Sequence, residues 1–159
     1  METPGRTVLP EPDARRLTEI VEGIHGPAMR DRDGLARLGA ALEHAKVVSS
    51  EELPPDVVSM HSTVRIADVA TGDEATYTLV YPASADAASR KVSILAPIGL
   101  ALLGRREGEE VEPRAPGGLR RLRIVKLEHQ PERDMVERLR VLRSALSGPA
   151  SDAPRRRLA

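Results

Sequence analysis

The sequence predicts an α+β protein with a short N-terminal antiparallel helical hairpin, a β-sheet domain that contains one short helix, and an extra C-terminal helix. Apolar residues recur at helical spacing in three segments of the chain. Between the second and third segments, apolar and polar residues alternate as they do in strands, and Gly, Pro and Asp mark the turns. The length of 159 residues suits one ordinary domain, or a small domain with an attached helical element.

The first two helices are predicted to form a hairpin, a short coiled coil, over residues 13–48. Residues 1–12 contain three prolines and are predicted to be an irregular lead-in, in which residues 7–9 could add a short strand. Asp13 is the predicted N-cap of a helix over residues 13–25. The apolar stripes of the two helices are Leu17, Ile20, Val21 and Ile24, and then Leu35, Leu38, Leu42 and Ala45. Each helix would have about 12 to 13 residues and a length of about 18 to 20 Å.

A proline-containing linker over residues 49–56 precedes the predicted sheet domain, residues 57–131. Alternation predicts a hairpin of two strands that turns at residues 71–74, followed by a short strand at Val92 and Ile94. Pro97 stands where a helix tolerates proline, so a short helix is predicted from Pro97 to Gly104. A strand begins at Val111, a turn follows at residues 115–118, and residues 122–127 complete the sheet.

The extra C-terminal helix occupies residues 132–148 in the predicted domain division, with its helical pattern over residues 134–147. Its stripe consists of Met135, Leu139, Leu142 and Leu146. This stripe has two interpretations: it packs on the chain's own sheet or hairpin, or it docks on another protein. The Gly148-Pro149 pair is predicted to end the helix, and residues 149–159 are predicted to be a disordered basic tail.

Composition excludes several classes of function. The absence of cysteine excludes disulfides, thiolate metal sites and cysteine nucleophiles. The absence of Phe and Trp, with only two Tyr, argues against an aromatic-lined pocket or a base-stacking surface. Equal numbers of basic and acidic residues, 24 each, argue against direct sequence-specific DNA binding through a broad basic face. No run of residues is apolar enough for a bilayer span or a signal-peptide core, so we expect a cytoplasmic protein without a membrane partner.

Residues able to support catalysis are scarce, and we expect no enzyme activity, no cofactor and no bound metal. The four histidines show no metal-ligand spacing, and no nucleophile elbow, phosphate loop or dinucleotide motif is present. Asp31 and Asp33 lie at the predicted tip of the hairpin, where they are either turn residues or a weak magnesium site. Arg155, Arg156 and Arg157 are either solubilising charge or phosphate contacts.

The ordered segments resemble the Gre-type transcription factors, whose C-terminal domain has an FKBP-like fold. The resemblance covers about residues 10–131. The matching segments are DARRL at 13–17, SEELPPDVVSM at 50–60, LVYP at 79–82, and the most specific block, which runs from API at 96–98 to PGG at 116–118.

This resemblance implies binding to bacterial RNA polymerase at the rim of its secondary channel. The rim contacts of the family fall on Leu95, Ala96 and Pro97, with Ile98 next to them. Cleavage factors carry an acidic or polar residue and a serine at the first two of these positions, and they use a much longer hairpin whose acidic tip reaches the polymerase active centre. We therefore expect a regulator that competes with cleavage factors and does not cleave transcripts. The alternatives are a Gre-like cleavage factor that uses Asp31 and Asp33, a prolyl isomerase suggested by the fold alone, and an adaptor.

Overall fold

The computed structural model describes residues 7–23, 32–115 and 118–152. Its architecture is α+β, as predicted. The helices are α1 (Glu11–Glu22), α2 (Arg32–Glu43), α3 (Pro97–Leu102) and α4 (Pro131–Asp152). The strands are β1 (Val8–Pro10), β2 (Lys46–Val48), β3 (Thr63–Asp68), β4 (Glu74–Val80), β5 (Lys91–Ser93), β6 (Glu110–Val111), β7 (Arg114–Ala115), β8 (Gly118–Leu119) and β9 (Leu122–His129).

Two short parallel strands close the base of the helical hairpin. β1 leads into α1, β2 follows α2, and Leu9 of β1 lies opposite Val47 of β2. The periodicity did not predict β2, because a strand of three residues is too short to show alternation. Leu17, Leu35 and Leu38 of the hairpin are buried, so the described residues of the predicted apolar stripes form the seam between the helices, and Ile24 lies outside the described residues.

The prediction that Asp13 caps α1 is wrong, and the helix also ends before residue 25. Pro10 is the N-cap residue and makes no side-chain capping bond, and Pro12 lies in the first turn of α1. Proline is tolerated there because the first turn has no intrahelical partner for its N–H group. Asp13 therefore falls inside the helix, and its carboxylate accepts a hydrogen bond from the backbone of Met60. The predicted stop at residues 25–27 lies outside the described residues.

The main sheet has five strands in the order β5-β4-β3-β9-β6. β3 and β4 form the predicted antiparallel hairpin, and β9 pairs antiparallel with the other edge of β3. The short strand β5 runs parallel to β4. The inner face of the sheet packs against α3, and the core at this interface includes Val64, Ile66, Leu79, Leu102 and Ile124.

α3 lies very close to the backbone at two glycines. A Cβ atom at Gly99 would overlap the carbonyl oxygen of Ser93, the last residue of β5. Gly104 has a positive φ of 74° and turns the chain after α3, where a Cβ atom would overlap the methyl group of Thr7. The helix predicted from Pro97 to Gly104 is thus confirmed, with its last regular residue at Leu102.

α4 is longer than predicted. It begins at Pro131 and runs through Gly148 and Pro149 to Asp152, so the prediction that this pair ends the helix is wrong. The helix continues through Pro149 although proline removes one N–H donor and crowds the carbonyl four residues earlier. Residues 153–159 of the predicted tail lie outside the described residues. None of the helices that the structure describes combines the length and apolarity needed to cross a membrane.

We expect Gly99→Ala to lower the free energy of unfolding by about 1–3 kcal/mol, because the added methyl group forces α3 away from Ser93. Urea unfolding followed by circular dichroism measures this change. Gly39→Ala in α2 is the matched control: its methyl group would meet the Val21 side chain at an ordinary 3.6 Å, and alanine favours the helix. Equal stability of the Gly99→Ala variant and the wild type would contradict the close approach.

Candidate functional site

The loop between β5 and α3 is held in one conformation by its own hydrogen bonds. The backbone N–H of Leu95 donates to Ser93 Oγ at 3.0 Å, and that of Ala96 donates to the Ser93 carbonyl at 3.0 Å. Ala96 has an extended backbone and is the N-cap of α3, and Pro97 is the first helical residue. The N–H of Leu100 then donates to the Ala96 carbonyl at 2.9 Å. The loop is therefore a rigid platform.

The four residues predicted to contact a partner lie together on this loop but differ in exposure. Leu95 is only 5% exposed and belongs to the core. Ala96 and Ile98 are half-buried, and Pro97 is exposed. The assignment of all four as partner contacts stays a prediction, and within it Leu95 shapes the loop from beneath while Pro97 presents the surface.

A groove of about 240 Å³ runs beside Pro97, between the helical hairpin and the sheet domain. It is lined by Arg37 and Ala41 of α2, by Pro97, Leu100 and Ala101 of α3, and by Glu112, Pro113 and Arg114. Sequence reasoning missed the groove, because α2 and α3 are far apart in the chain. The spacing of Leu100 and Ala101 at three and four residues after Pro97 was the one available signal, since it places them on the same helix face.

Two of the three charged groups around this groove are ion-paired within the described part of the chain, and Arg114 is not. Arg37 pairs with Asp33 at 3.2 Å, and Glu112 pairs with Arg121 at 3.1 Å. Arg114 is exposed and has no ion-pair partner among the described residues. An apolar floor with an unpaired guanidinium at its rim suits an apolar partner segment that carries a carboxylate.

A smaller cavity of about 80 Å³ lies on the other side of the loop, next to Ile98. Tyr77 is its one aromatic side chain. Asp68 at the rim accepts a hydrogen bond from Arg120 Nη2 at 3.0 Å, and this guanidinium holds the pKa of Asp68 below its usual range. The cavity thus offers a fixed carboxylate and little apolar volume.

The predicted hairpin tip is only partly within the described residues, because Asp31 lies outside them. Asp33 is in the first turn of α2, is largely exposed and is paired with Arg37 one turn later. The described part of the chain contains no group of three or more His, Asp or Glu side chains arranged to hold a metal ion.

A polar cluster joins the hairpin to the sheet domain. The carboxylate of Asp13 in α1 accepts a hydrogen bond from the backbone N–H of Met60 at 3.0 Å. Nearby, Ser59 donates from its hydroxyl to Glu132 of α4 at 2.6 Å and lies 3.0 Å from the hydroxyl of Ser62. Ser59 and Ser62 are fully buried. This cluster connects α1, the 59–62 turn and the start of α4, and it fixes how the hairpin sits on the domain.

Aromatic contacts lie at the same junction between the hairpin and the sheet domain. The guanidinium carbon of Arg16 lies 4.8 Å from the ring centre of Tyr81, and the ring of His61 meets that tyrosine edge to face at 5.4 Å. His61 has a positive φ of 67°. Burial raises the pKa of Tyr81, and the nearby Asp13 carboxylate adds to this increase.

The partly buried position of Asp13 raises the pKa of its carboxyl group. Burial raises its pKa from 3.8 to about 6, the hydrogen bond from Met60 opposes this shift, and the negative charge of Glu132 adds to it. The junction therefore contains an acid that changes charge just below neutral pH.

The chain is similar to a protein-family model and to several known proteins. Residues 53–129 match the family model for the C-terminal region of the transcription elongation factors GreA and GreB. The chain is 38% identical over 121 residues to the regulator of nucleoside diphosphate kinase of Escherichia coli (strain K12), which covers 76% of this chain and 87% of that protein. It is also 38% identical over 123 residues to transcription elongation factor GreA of Hyphomonas neptunium, covering 74% of this chain and 78% of that protein.

A solved structure of a related protein is also similar to this chain. The prokaryotic transcription elongation factor GreA/GreB from Nitrosomonas europaea superposes with a TM-score of 0.64 at 41% identity, covering 79% of this chain and 99% of that chain. Within the Gre-type group, the quoted segments resemble the regulator of nucleoside diphosphate kinase in particular, and the comparison confirms this likeness.

We expect the stability that Asp13 contributes to decrease as the pH rises from about 4 to about 6. Its pKa is higher in the folded than in the unfolded chain, so the unfolded chain ionises first. The predicted loss is up to about 3 kcal/mol and is complete above the folded pKa. Asp13→Asn can still accept the Met60 hydrogen bond but cannot ionise, so it should gain stability over the wild type between pH 4 and 7.

Urea unfolding of both proteins across this pH range measures the difference. Glu19→Gln, which neutralises an exposed carboxylate of the same helix, is the matched control. A difference between the wild type and Asp13→Asn that does not vary with pH would refute the assignment.

Proposed function

Because the chain belongs to the GreA/GreB family of transcription elongation factors, we propose that it binds bacterial RNA polymerase at the rim of the secondary channel and regulates transcription without catalysing a reaction. The observation that carries this proposal is the exposed Pro97 on a rigid loop, next to a groove that only the assembled hairpin and domain create. The loop can engage a partner surface without first becoming ordered, which avoids an entropic cost of binding.

The groove supports a protein partner rather than a small substrate. Its floor is formed by Leu100, Ala101 and Pro113, and Arg114 at its edge is available for a carboxylate of the partner. Interfaces of this kind combine an apolar centre with a polar rim. On the proposed polymerase surface, an apolar segment with an acidic side chain would occupy the groove.

The dimensions of the hairpin support a regulator that blocks the channel rather than a cleavage factor. α1 and α2 have 12 residues each, which corresponds to about 18 Å of helix. The carboxylate of Asp33 is engaged with Arg37 at 3.2 Å. A hairpin of this length that is anchored at the rim excludes other channel-binding factors but does not bring a carboxylate to a distant active centre.

Prolyl isomerase activity, the enzyme alternative, is disfavoured by the cavity next to Ile98. Its volume of about 80 Å³ is well below the roughly 300 Å³ or more of ordinary ligand pockets, and Tyr77 supplies its one aromatic wall.

The first test is binding of the purified chain to core RNA polymerase. We expect saturable binding that Pro97→Glu weakens roughly tenfold or more, because a charge would replace the exposed apolar side chain at the centre of the contact. Fluorescence anisotropy with labelled protein measures the Kd. Glutamate is acceptable in the first turn of a helix, so the variant should stay folded.

Thr76→Glu on the outer face of the sheet carries the same added charge and is the matched control. Equal affinities for the wild type and both variants would exclude the loop as the contact. An absence of wild-type binding at micromolar concentration would exclude the polymerase as the partner.

The second test uses stalled elongation complexes. We expect the chain alone to leave the transcript intact, and we expect it to slow cleavage by an added cleavage factor in a dose-dependent way, because both would occupy one channel. Pro97→Glu should lose this inhibition. Transcript cleavage by the chain alone that disappears in an Asp31→Ala plus Asp33→Ala variant would establish the cleavage-factor alternative instead.

A further inference from the structure

Among the described residues, the hydrogen bonds that anchor α4 to the sheet domain come from Gln130, just before the helix, and from its first turn. The buried side chain of Gln130 donates from Nε2 to the carbonyls of Pro54 and Val57, at 2.9 and 2.6 Å. Arg133 donates to the carbonyls of Pro55 and Leu127, at 3.3 and 3.2 Å. From residue 140 to residue 147, every side chain is exposed. The helix is about 33 Å long at 1.5 Å per residue, so its second half is a projecting arm, residues 140–152.

The arm carries an apolar stripe that no described part of the chain covers. The stripe of α4 consists of Met135, Leu139, Leu142 and Leu146, at spacings of four, three and four residues. Leu142 is 56% exposed and Leu146 is 78% exposed. Of the two interpretations left open by the sequence, packing on the sheet or hairpin does not account for the end of the stripe within the described residues. The spacing is typical of a helix that packs along a second surface.

Basic side chains flank the stripe on both sides. At about 100° per residue, Arg138 falls just to one side of the stripe and Arg143 just to the other. Neither guanidinium has an ion-pair partner among residues 7–23, 32–115 and 118–152. Residues 138–159 contain six of the 24 basic residues of the chain but only one of the 24 acidic residues. Within the arm the charged residues are Arg140, Arg143 and Asp152, so the positive charge beside the stripe is concentrated in residues 138–147, which contain three arginines and no acidic residue.

This charge pattern limits what can cover the stripe. The arm of a second copy would bring the arginines of residues 138–147 of the two chains close together, and the segment with Arg155, Arg156 and Arg157 would add to that positive charge if it folded back. Nucleic acid would satisfy the arginines but would leave the leucines in water. An apolar groove rimmed by carboxylates on a partner protein satisfies both groups.

We propose that the arm docks by its leucine stripe into an acidic-rimmed apolar groove on RNA polymerase, as a second contact separate from the Pro97 loop. This inference rests on the proposed function. The family match ends at residue 129, two residues before α4 begins, so the contact is an addition to the shared fold. The unsupported half of an isolated helix is only marginally stable in water, and a groove that covers the stripe would stabilise it.

The test compares the binding of five full-length chains to core RNA polymerase: the wild type, Leu142→Glu, Ser144→Glu, Pro97→Glu and the double variant Leu142→Glu plus Pro97→Glu. Ser144 lies on the opposite face of α4 from the stripe, so its variant adds the same charge without touching the stripe. We expect Leu142→Glu to weaken binding roughly tenfold and Ser144→Glu to bind like the wild type. Leu142→Glu should also lower the affinity further when it is combined with Pro97→Glu, because the two contacts are separate.

The outcomes distinguish the two proposals. Equal Kd values for the wild type and Leu142→Glu, with Pro97→Glu still weakened, would overturn the arm contact and leave the proposed function standing. Failure of the wild type to bind would overturn both. Sedimentation that shows self-association abolished by Leu142→Glu, or binding to single-stranded DNA or anionic vesicles lost in the same variant, would assign the stripe to that occupant and overturn the proposal.

Discussion

The close approach of the backbone at Gly99, in the first turn of α3, and at Gly104, just after α3, is the constraint on which the rest of the structure depends. At one end, Gly99 lies against the carbonyl oxygen of Ser93, and at the other end Gly104 turns the chain against Thr7. The first contact sets the loop that presents Pro97. The second lies beside β1, and β1 with β2 closes the base of the hairpin. One short helix thereby links the presented loop to the helical hairpin, and a side chain at either glycine would disturb both.

A second set of interactions, at the other side of the hairpin, determines its orientation. Asp13, Ser59 and Glu132 come from three different elements and are connected through one backbone N–H group and two serine hydroxyls. Burying such groups costs free energy unless each finds a partner. The cluster therefore contributes more to a unique arrangement of hairpin and domain than to the overall stability. The raised pKa of Asp13 reflects this cost.

The two surfaces proposed to contact a partner consist of apolar side chains and charged groups. The groove beside Pro97 offers an apolar floor and the guanidinium of Arg114, which forms no ion pair with the described residues, and the arm of α4 offers leucines between arginines. Both combine a small apolar contact with a charge that selects the partner by complementarity. The two proposed contacts would reinforce each other, because the second would form at a high effective concentration once the first is made.

Local patterns in the sequence determined the positions of most helices and strands and the family resemblance. Leu17, Leu35 and Leu38 lie at helical spacing and are buried, Val64 and Ile66 alternate and face the core, and Pro97 begins a helix. Tertiary structure alone decided what depends on segments that are distant in the chain. β2 forms by pairing with β1, and Leu95 is buried in the core of the folded domain. Asp13 accepts a hydrogen bond from Met60 and does not cap its own helix. The groove requires α2 to lie next to α3. The physical reason is that periodicity is a property of neighbouring residues, whereas burial and pairing depend on which faces meet after the chain has folded.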